Sequence, residues 1–171
     1  MSIWRNITLT LAIVGLLIFA VLIWYKSHYS MDIAPAITVT VPDAKHHLLI
    51  ATQGSTYKNN VVEGVIKAAK LRQMTVQVID VSALSTVDVG DWSAMVILHT
   101  WESWEPQMDA KLFAQRHTGQ NNIIFLSTSG QGDLAIPGVD AITSASSLAD
   151  VPKHVAEIVA RIDAAITNVA G

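Results

Sequence analysis

The chain has no cysteine and therefore no thiolate that could ligate a metal ion. Its five histidines after residue 45 show no pair at the i, i+4 spacing by which a helix presents two imidazoles to one metal. We therefore predict no metal centre. The absence of cysteine also suits an oxidising compartment, although a chain of 171 residues can lack cysteine for other reasons.

Charged residues are also scarce, and acidic residues outnumber basic ones. The chain has 11 Lys and Arg against 14 Asp and Glu, and two of the basic residues, Arg5 and Lys26, lie in the first 26 positions. The remainder of the chain therefore carries a net charge of −5. A surface of this sign repels polyanions, so neither nucleic acid nor an anionic membrane surface is predicted as a partner.

Hydrophobic sequence is abundant instead, at 51% of the residues. Residues 6–25 form a run of 20 positions without a charge, flanked by the two basic residues named above. A helix of this length spans about 30 Å, enough to cross the bilayer core. Trp4, Trp24 and Tyr25 lie at its ends, where aromatic residues suit the membrane interface. We predict a single-pass transmembrane anchor over residues 1–26, which places the protein in the lipid bilayer of a cell membrane.

A cleaved signal peptide is the alternative interpretation of this run. Its apolar segment usually covers about 7–15 residues and precedes a small-x-small cleavage site, whereas this run is longer and no such site follows directly. Basic residues flank the run on both sides, so the positive-inside rule barely distinguishes the two orientations. The lack of cysteine favours an extracytoplasmic domain, and the cytoplasmic side stays open.

Residues 27–45 separate the apolar run from the next hydrophobic segment. Pro35 and Pro42 bracket the sequence AITVTV, and proline cannot donate a hydrogen bond to a sheet. We predict an extended linker here, with a short edge strand as the alternative.

Apolar segments alternate with helical patterns over residues 46–171, which we predict to be one domain. The expected strands are residues 48–51, 74–81, 94–99, 123–126 and 139–143. Strands of continuous apolar residues, alternating with helices, indicate a parallel sheet covered on both faces. No ordinary helix fits between the fourth and fifth strands, so one sheet face should be thinly covered there.

Three helices are expected in this domain. Asn59 or Asn60 is predicted to cap the first, Pro106 to lie in the first turn of the second, and Asp150 to cap the third. The inward-facing residues of the second helix are predicted to be Met108, Leu112 and Phe113.

The order of these elements and the loop after the first strand resemble the flavodoxin family. Residues 54–60 (GSTYKNN) followed by VVE are similar to that family's phosphate loop and the helix after it. Residues 79–84 (IDVSAL) and 94–101 (AMVILHTW) resemble its second and third strands. The resemblance implies an α/β fold, a three-layer sandwich with a five-stranded parallel sheet of order 2-1-3-4-5, preceded here by one transmembrane helix.

The same resemblance implies FMN as a cofactor and a set of residues to bind it. The residues of the phosphate loop would be Ser55, Thr56, Tyr57, Lys58, Asn59 and Asn60. Trp101 or Trp104 would contact the isoalloxazine, and Ser129 lies in the loop after the fourth strand. The chain departs from the family at Lys58, where the family has glycine, and at Asn60, where it usually has threonine. Lysine does not readily adopt a positive φ, although its ammonium group could attract a phosphate.

A second, shorter signal involves flavin attachment. Residues 139–146 (VDAITSAS) resemble the signal at which flavin transferases link FMN through a phosphoester, with Ser146 as the acceptor. The alternative is that residues 140–143 are only the last strand and residues 144–147 its turn. Ser129 lacks the flanking residues of a nucleophile elbow, and no nucleophile and base can be paired from the sequence.

Two functions are therefore open, and an enzymatic activity is left undecided. In the first, the membrane-tethered domain holds FMN and exchanges electrons with a membrane redox partner. In the second, the cofactor crevice has degenerated, and the domain is a non-catalytic accessory or structural subunit of a larger membrane protein complex. The sequence TWESWEP suits either function, because tryptophan lines ligand pockets and is also enriched at protein interfaces.

Overall fold

The computed structural model describes residues 2–29 and 31–169, and the chain divides into two compact units, Met1–Met31 and Asp32–Gly171. The first unit contains one helix, α1 (Ser2–Tyr29). Its segment Ile3–Trp24 has 22 residues with a mean hydropathy of 2.7, and its side chains are exposed. The helix is thus long and apolar enough to cross a membrane. A signal sequence near the N-terminus can meet the same criterion of length and hydropathy.

The second unit contains an eight-stranded mixed sheet. Its strands are β1 (Asp32–Ile33), β2 (Ile37–Val39), β3 (His46–Gly54), β4 (Met74–Asp80), β5 (Ala94–Glu102), β6 (Glu105–Pro106), β7 (Ile123–Thr128) and β8 (Ala141–Ser144). Parallel pairs join β4 to β3, β3 to β5, β5 to β7 and β7 to β8. The mixed α/β class with a mostly parallel sheet is confirmed, whereas the sheet has eight strands where we predicted five.

Two of the additional strands come from the segment that we predicted as a linker. Strand β1 pairs antiparallel with β3, and β2 pairs antiparallel with β4. The N–H of Ala34 donates to the Asp80 carboxylate at 2.8 Å, which fixes the connection between them. Pro35 and Pro42 both lie outside the two short ladders, as a residue without an N–H donor should.

The described part of the domain has three α-helices, α2 (Thr56–Leu71), α3 (Met108–Arg116) and α4 (Val151–Val169). Because side chains alternate along a strand, Leu48 and Ile50 of β3 join a core with α2 and α4. Leu49 and Ala51 join a second core with α3 and the 3-10 helix Val81–Thr86. Residues 129–140 form only bends and turns, and Ile136 from this segment packs into the second core. A loop therefore covers the sheet where we expected thin cover.

Two predicted helix starts were wrong. Helix α2 begins at Thr56, with Ser55 as its N-cap in place of Asn59 or Asn60. The reason is that β3 continues to Gly54 and passes into the helix with no intervening loop.

Helix α3 begins at Met108, is capped by Gln107 and follows Pro106, which lies in β6. With this later start, Met108 and Leu112 face outward, at 60% and 47% exposure, and Ala110, Phe113 and Ala114 face inward. The prediction was therefore right for Phe113 and wrong for the other two. The last helix begins at Val151, directly after Asp150, in agreement with its predicted start.

Candidate functional site at the carboxyl end of the sheet

Strands β3, β5 and β7 lie side by side and parallel, so their carboxyl ends meet at one edge of the sheet. In open α/β sheets this edge is where ligands bind. Most of the predicted cofactor-binding residues lie at or near this edge, which also carries several polar side chains that the sequence did not single out.

The Lys58 side chain is buried at this edge, with 1% exposure. Its ammonium group donates a hydrogen bond to the hydroxyl of Thr100 on β5. Burial lowers the pKa of Lys58 to about 8, against the opposing effect of the Glu102 carboxylate. The amine is therefore mostly protonated at neutral pH and acts as a donor.

Lys58, Thr100, Thr128 and His99 form a series of hydrogen bonds in which each group donates to the next. The Thr128 hydroxyl donates to the carbonyl oxygen of His99 at 3.1 Å. Thr128 Oγ1 lies 2.9 Å from Thr100 Oγ1 and must accept that hydrogen bond, because its own proton is already used. Thr100 in turn accepts from Lys58. This order suits a structural contact and does not suit a lysine that removes a proton from a threonine nucleophile.

Gln53 fills the junction between β3 and β5. Its Oε1 accepts the N–H of Thr100 at 2.8 Å, and its Nε2 lies 3.5 Å from Glu102 Oε1. Gln53 is 8% exposed. Gln53 and the two threonines could not be selected from the sequence, because each is an ordinary residue near the end of a predicted strand.

The predicted phosphate loop forms the first turn and a half of α2. The Ser55 hydroxyl accepts the N–H of Lys58 at 3.2 Å, and the N–H of Asn59 donates to the Ser55 carbonyl at 2.8 Å. Both N–H groups are therefore used in the helix cap. They are two of the loop donors that a phosphate would need.

Consecutive helical residues point about 100° apart, so the loop side chains diverge. Thr56, Asn59 and Asn60 are exposed, and the Asn60 amide donates to the Thr56 carbonyl at 2.8 Å. Tyr57 and Lys58 point into the domain. These five side chains do not converge on one point.

Tyr57 joins α2 to α4. Its hydroxyl lies 2.7 Å from Nδ1 of His154. Burial raises the pKa of Tyr57, although a hydrogen bond with Ser144 has the opposite effect, and burial lowers the pKa of His154. Tyr57 thus has a packing role in this structure, and the sequence alone did not pair it with His154.

Strand β1 lies against the same edge. Asp32 pairs with Gly54, and a Cβ atom built on Gly54 would lie 2.8 Å from Cβ of Asp32. Glycine at this position allows the close approach of the two backbones. The acidic residue Asp32 is consequently placed beside the start of α2, where a phosphate would be expected.

The two candidate flavin-stacking residues lie in different environments. Trp101 is half-buried, and its Nε1 donates to the Ser127 hydroxyl at 3.0 Å. Because Trp101 follows Thr100 along β5, its side chain points to the sheet face opposite Lys58. Trp104 is 86% exposed in the turn between β5 and β6.

Ser129 and Ser146 both shape turns. The Ser129 hydroxyl accepts the N–H groups of Gly132 and Asp133, at 2.9 and 3.3 Å. Ser146 is exposed with a φ of 61°, and its N–H donates to the Ser144 hydroxyl at 3.0 Å. Strand β8 ends at Ser144.

The residues at this edge do not fit FMN in the way the flavodoxin resemblance implies. The helix cap uses two N–H groups that a phosphate would need, Lys58 is buried in the domain, and the acidic residue Asp32 lies next to Gly54. A comparison with models of known protein families and with curated proteins found no match. The resemblance to flavodoxins therefore stays a prediction from the motifs of this chain.

Proposed function

We propose that the chain is a single-pass membrane protein whose α/β domain is a non-catalytic accessory subunit of a larger membrane complex. In this proposal the parallel strands keep the flavodoxin order 2-1-3-4-5 within a three-layer sandwich, and the cofactor crevice is closed. Helix α1 anchors the subunit in the bilayer.

The observation that carries this proposal is the burial of Lys58 at the carboxyl edge. Its side chain fills the space between α2 and β5 and is held by Thr100. If the Lys58 side chain occupies the crevice, the domain does not require a ligand to fill it. Fold alone does not fix function, so the closed crevice is the specific support for an accessory role.

FMN binding with electron transfer to a membrane redox partner is the other function that the sequence left open. It requires the first turn of α2 to rearrange, so that Lys58 leaves the domain interior and the cap N–H groups become free. No observation at the edge favours that rearrangement over the closed arrangement.

A titration of the purified full-length chain with FMN tests the closed crevice. A ligand present at 100 times its dissociation constant stabilises a protein by about 2.7 kcal/mol, which raises the melting temperature by about 5–11 °C, at about 2–4 °C per kcal/mol. We expect no such shift at about 1 mM FMN, and none with inorganic phosphate at the same concentration. A shift with FMN alone, accompanied by bound flavin absorbance, would overturn the proposal.

A further inference from the structure

Two features of the hairpin of residues 102–105 are unfavourable for its stability. Ser103 and Trp104 have φ values of 52° and 67°, a turn conformation that normally calls for asparagine or glycine. Glu102 and Glu105 are direct cross-strand partners, and like charges in that position repel each other. Lys111 pairs with Glu105 and offsets part of this repulsion, whereas the choice of turn residues is not explained by the fold.

This hairpin exposes an apolar side chain, and α3, which follows it in the chain, exposes two more. Trp104 is 86% exposed, and Met108 and Leu112, one turn apart on α3, are 60% and 47% exposed. Lys111, on the same side of α3, makes a 2.9 Å ion pair with Glu105 and so joins this face to the hairpin. We call Trp104, Met108 and Leu112, with the flanking Glu102 and Glu105, the Trp104 surface.

We infer that the Trp104 surface binds a basic amphipathic segment of a partner subunit. A lysine or arginine of the partner would lie over the Trp104 indole and pair with Glu102, whereas Glu105 is already paired with Lys111. Apolar residues of the same segment would cover Met108 and Leu112. This inference rests on the proposed accessory function and names the chemistry of the partner.

Charge favours a basic partner segment over two other possible occupants of this surface, an anionic membrane surface and a second copy of the chain. The chain after Lys26 has a net charge of −5, so an anionic membrane surface would repel it. A second copy of the chain would place the same glutamates against each other if it used the same surface, as a symmetric dimer does. A basic partner would neutralise Glu102, beside the Glu105 carboxylate that Lys111 already contacts.

Photo-crosslinking in native membranes tests the inference. The full-length chain carries a photoreactive phenylalanine analogue in place of Trp104, and the matched control carries it in place of Leu71, which is 85% exposed at the end of α2. We expect a single protein adduct at position 104, with at least about tenfold lower yield at position 71. The crosslinked peptide should contain lysine or arginine within one helical turn of the adduct, and the yield should fall as salt is raised to about 1 M.

Several results would overturn the inference: equal yields at the two positions, no adduct at either, adducts with lipid, adducts with a second copy of the chain, or a crosslinked peptide without basic residues. A melting curve of each variant confirms that it is folded. The FMN titration separates the two proposals. FMN binding with the adduct at position 104 intact overturns only the closed crevice, whereas loss of the adduct without FMN binding overturns only this partner surface.

Discussion

His99 places an imidazole ring in the interior of the domain, at 0% exposure, edge-on to Phe125. Neither ring nitrogen has a hydrogen-bond partner among the described residues. Burial lowers the pKa of His99 to about 4, so the ring is neutral at pH 7. The same histidine in the unfolded chain takes up a proton near pH 6.5. The unfolded state therefore binds more protons between pH 6.5 and 4, and His99 lowers the stability of the domain as the pH falls through that window.

The substitution His99→Leu should remove both the cost of burying two unpaired ring nitrogens and the loss of stability at acidic pH. We expect it to raise the free energy of unfolding at pH 7 by about 1–3 kcal/mol, because two unsatisfied polar atoms are replaced by apolar ones. In addition, the variant should no longer lose the roughly 3 kcal/mol of stability that His99 costs the domain as the pH falls from 6.5 to 4. Urea unfolding of the full-length chain at several pH values measures both effects. His47→Leu, at an exposed position, is the control, and an unchanged pH dependence in His99→Leu would contradict the assignment.

Lys58 shows what the sequence could and could not establish about a single residue. Its identity already marked it as a departure from the phosphate loop that the segment resembles. Whether it would reach out to a phosphate or into the domain depends on Thr100, which is 42 positions away along the chain. A contact of that separation leaves no local pattern. Trp101 is a similar case, because its hydrogen bond to Ser127 depends on the pairing of two distant strands.

At the scale of elements, the contact between α2 and α4 depends on Gly64. A Cβ atom built at this position would lie 2.7 Å from Cγ2 of Val155. Glycine inside a helix costs about 1 kcal/mol relative to alanine, so close packing of the two helices is the reason we assign to it. Val155 is β-branched and cannot easily rotate away.

The substitution Gly64→Ala should therefore destabilise the domain in spite of its better helix propensity. We expect a loss of about 1–2 kcal/mol in the free energy of unfolding, because overpacking outweighs propensity. The double variant Gly64→Ala with Val155→Ala should be more stable than the sum of the two single changes predicts, since the added methyl group fills the space that Val155 leaves. Chemical denaturation of the four proteins measures this coupling. Stabilisation by Gly64→Ala alone would show that the helices are not in close contact.

Long apolar patterns were predictable at this scale, and short elements were not. Strands β3, β5 and β7 contain continuous apolar runs and β4 alternates apolar with polar residues, and the structure has a strand at or near each of the five predicted positions. Strands β1, β2 and β6 have only two or three residues, too few for a periodic signal. The start of α2 was misplaced because residues 55–60 are mostly polar and look like a loop, although Ser55 is the cap and Lys58 is buried.

At the scale of the whole molecule, the chain combines an apolar helix with an acidic domain. The helix α1 has the length and hydropathy to cross a membrane, and the chain after Lys26 has a net charge of −5. Composition and hydropathy were sufficient to predict both properties. The proposed function rests on the crevice, where Lys58 contacts a residue 42 positions away, and on the Trp104 surface, whose residues lie within 102–112 but become one surface only through the fold.

Size-exclusion chromatography with light scattering and absorbance detection, on full-length protein extracted from its native membrane in mild detergent, tests the central claim most directly. The chain alone has a mass of 18.5 kDa. We expect it to elute in a larger protein complex, at a fixed ratio to a different polypeptide. When this complex is dissociated, the peak that contains only the chain should show no flavin absorbance. A chain that elutes as a monomer or only with copies of itself, or that retains bound flavin, would contradict the account.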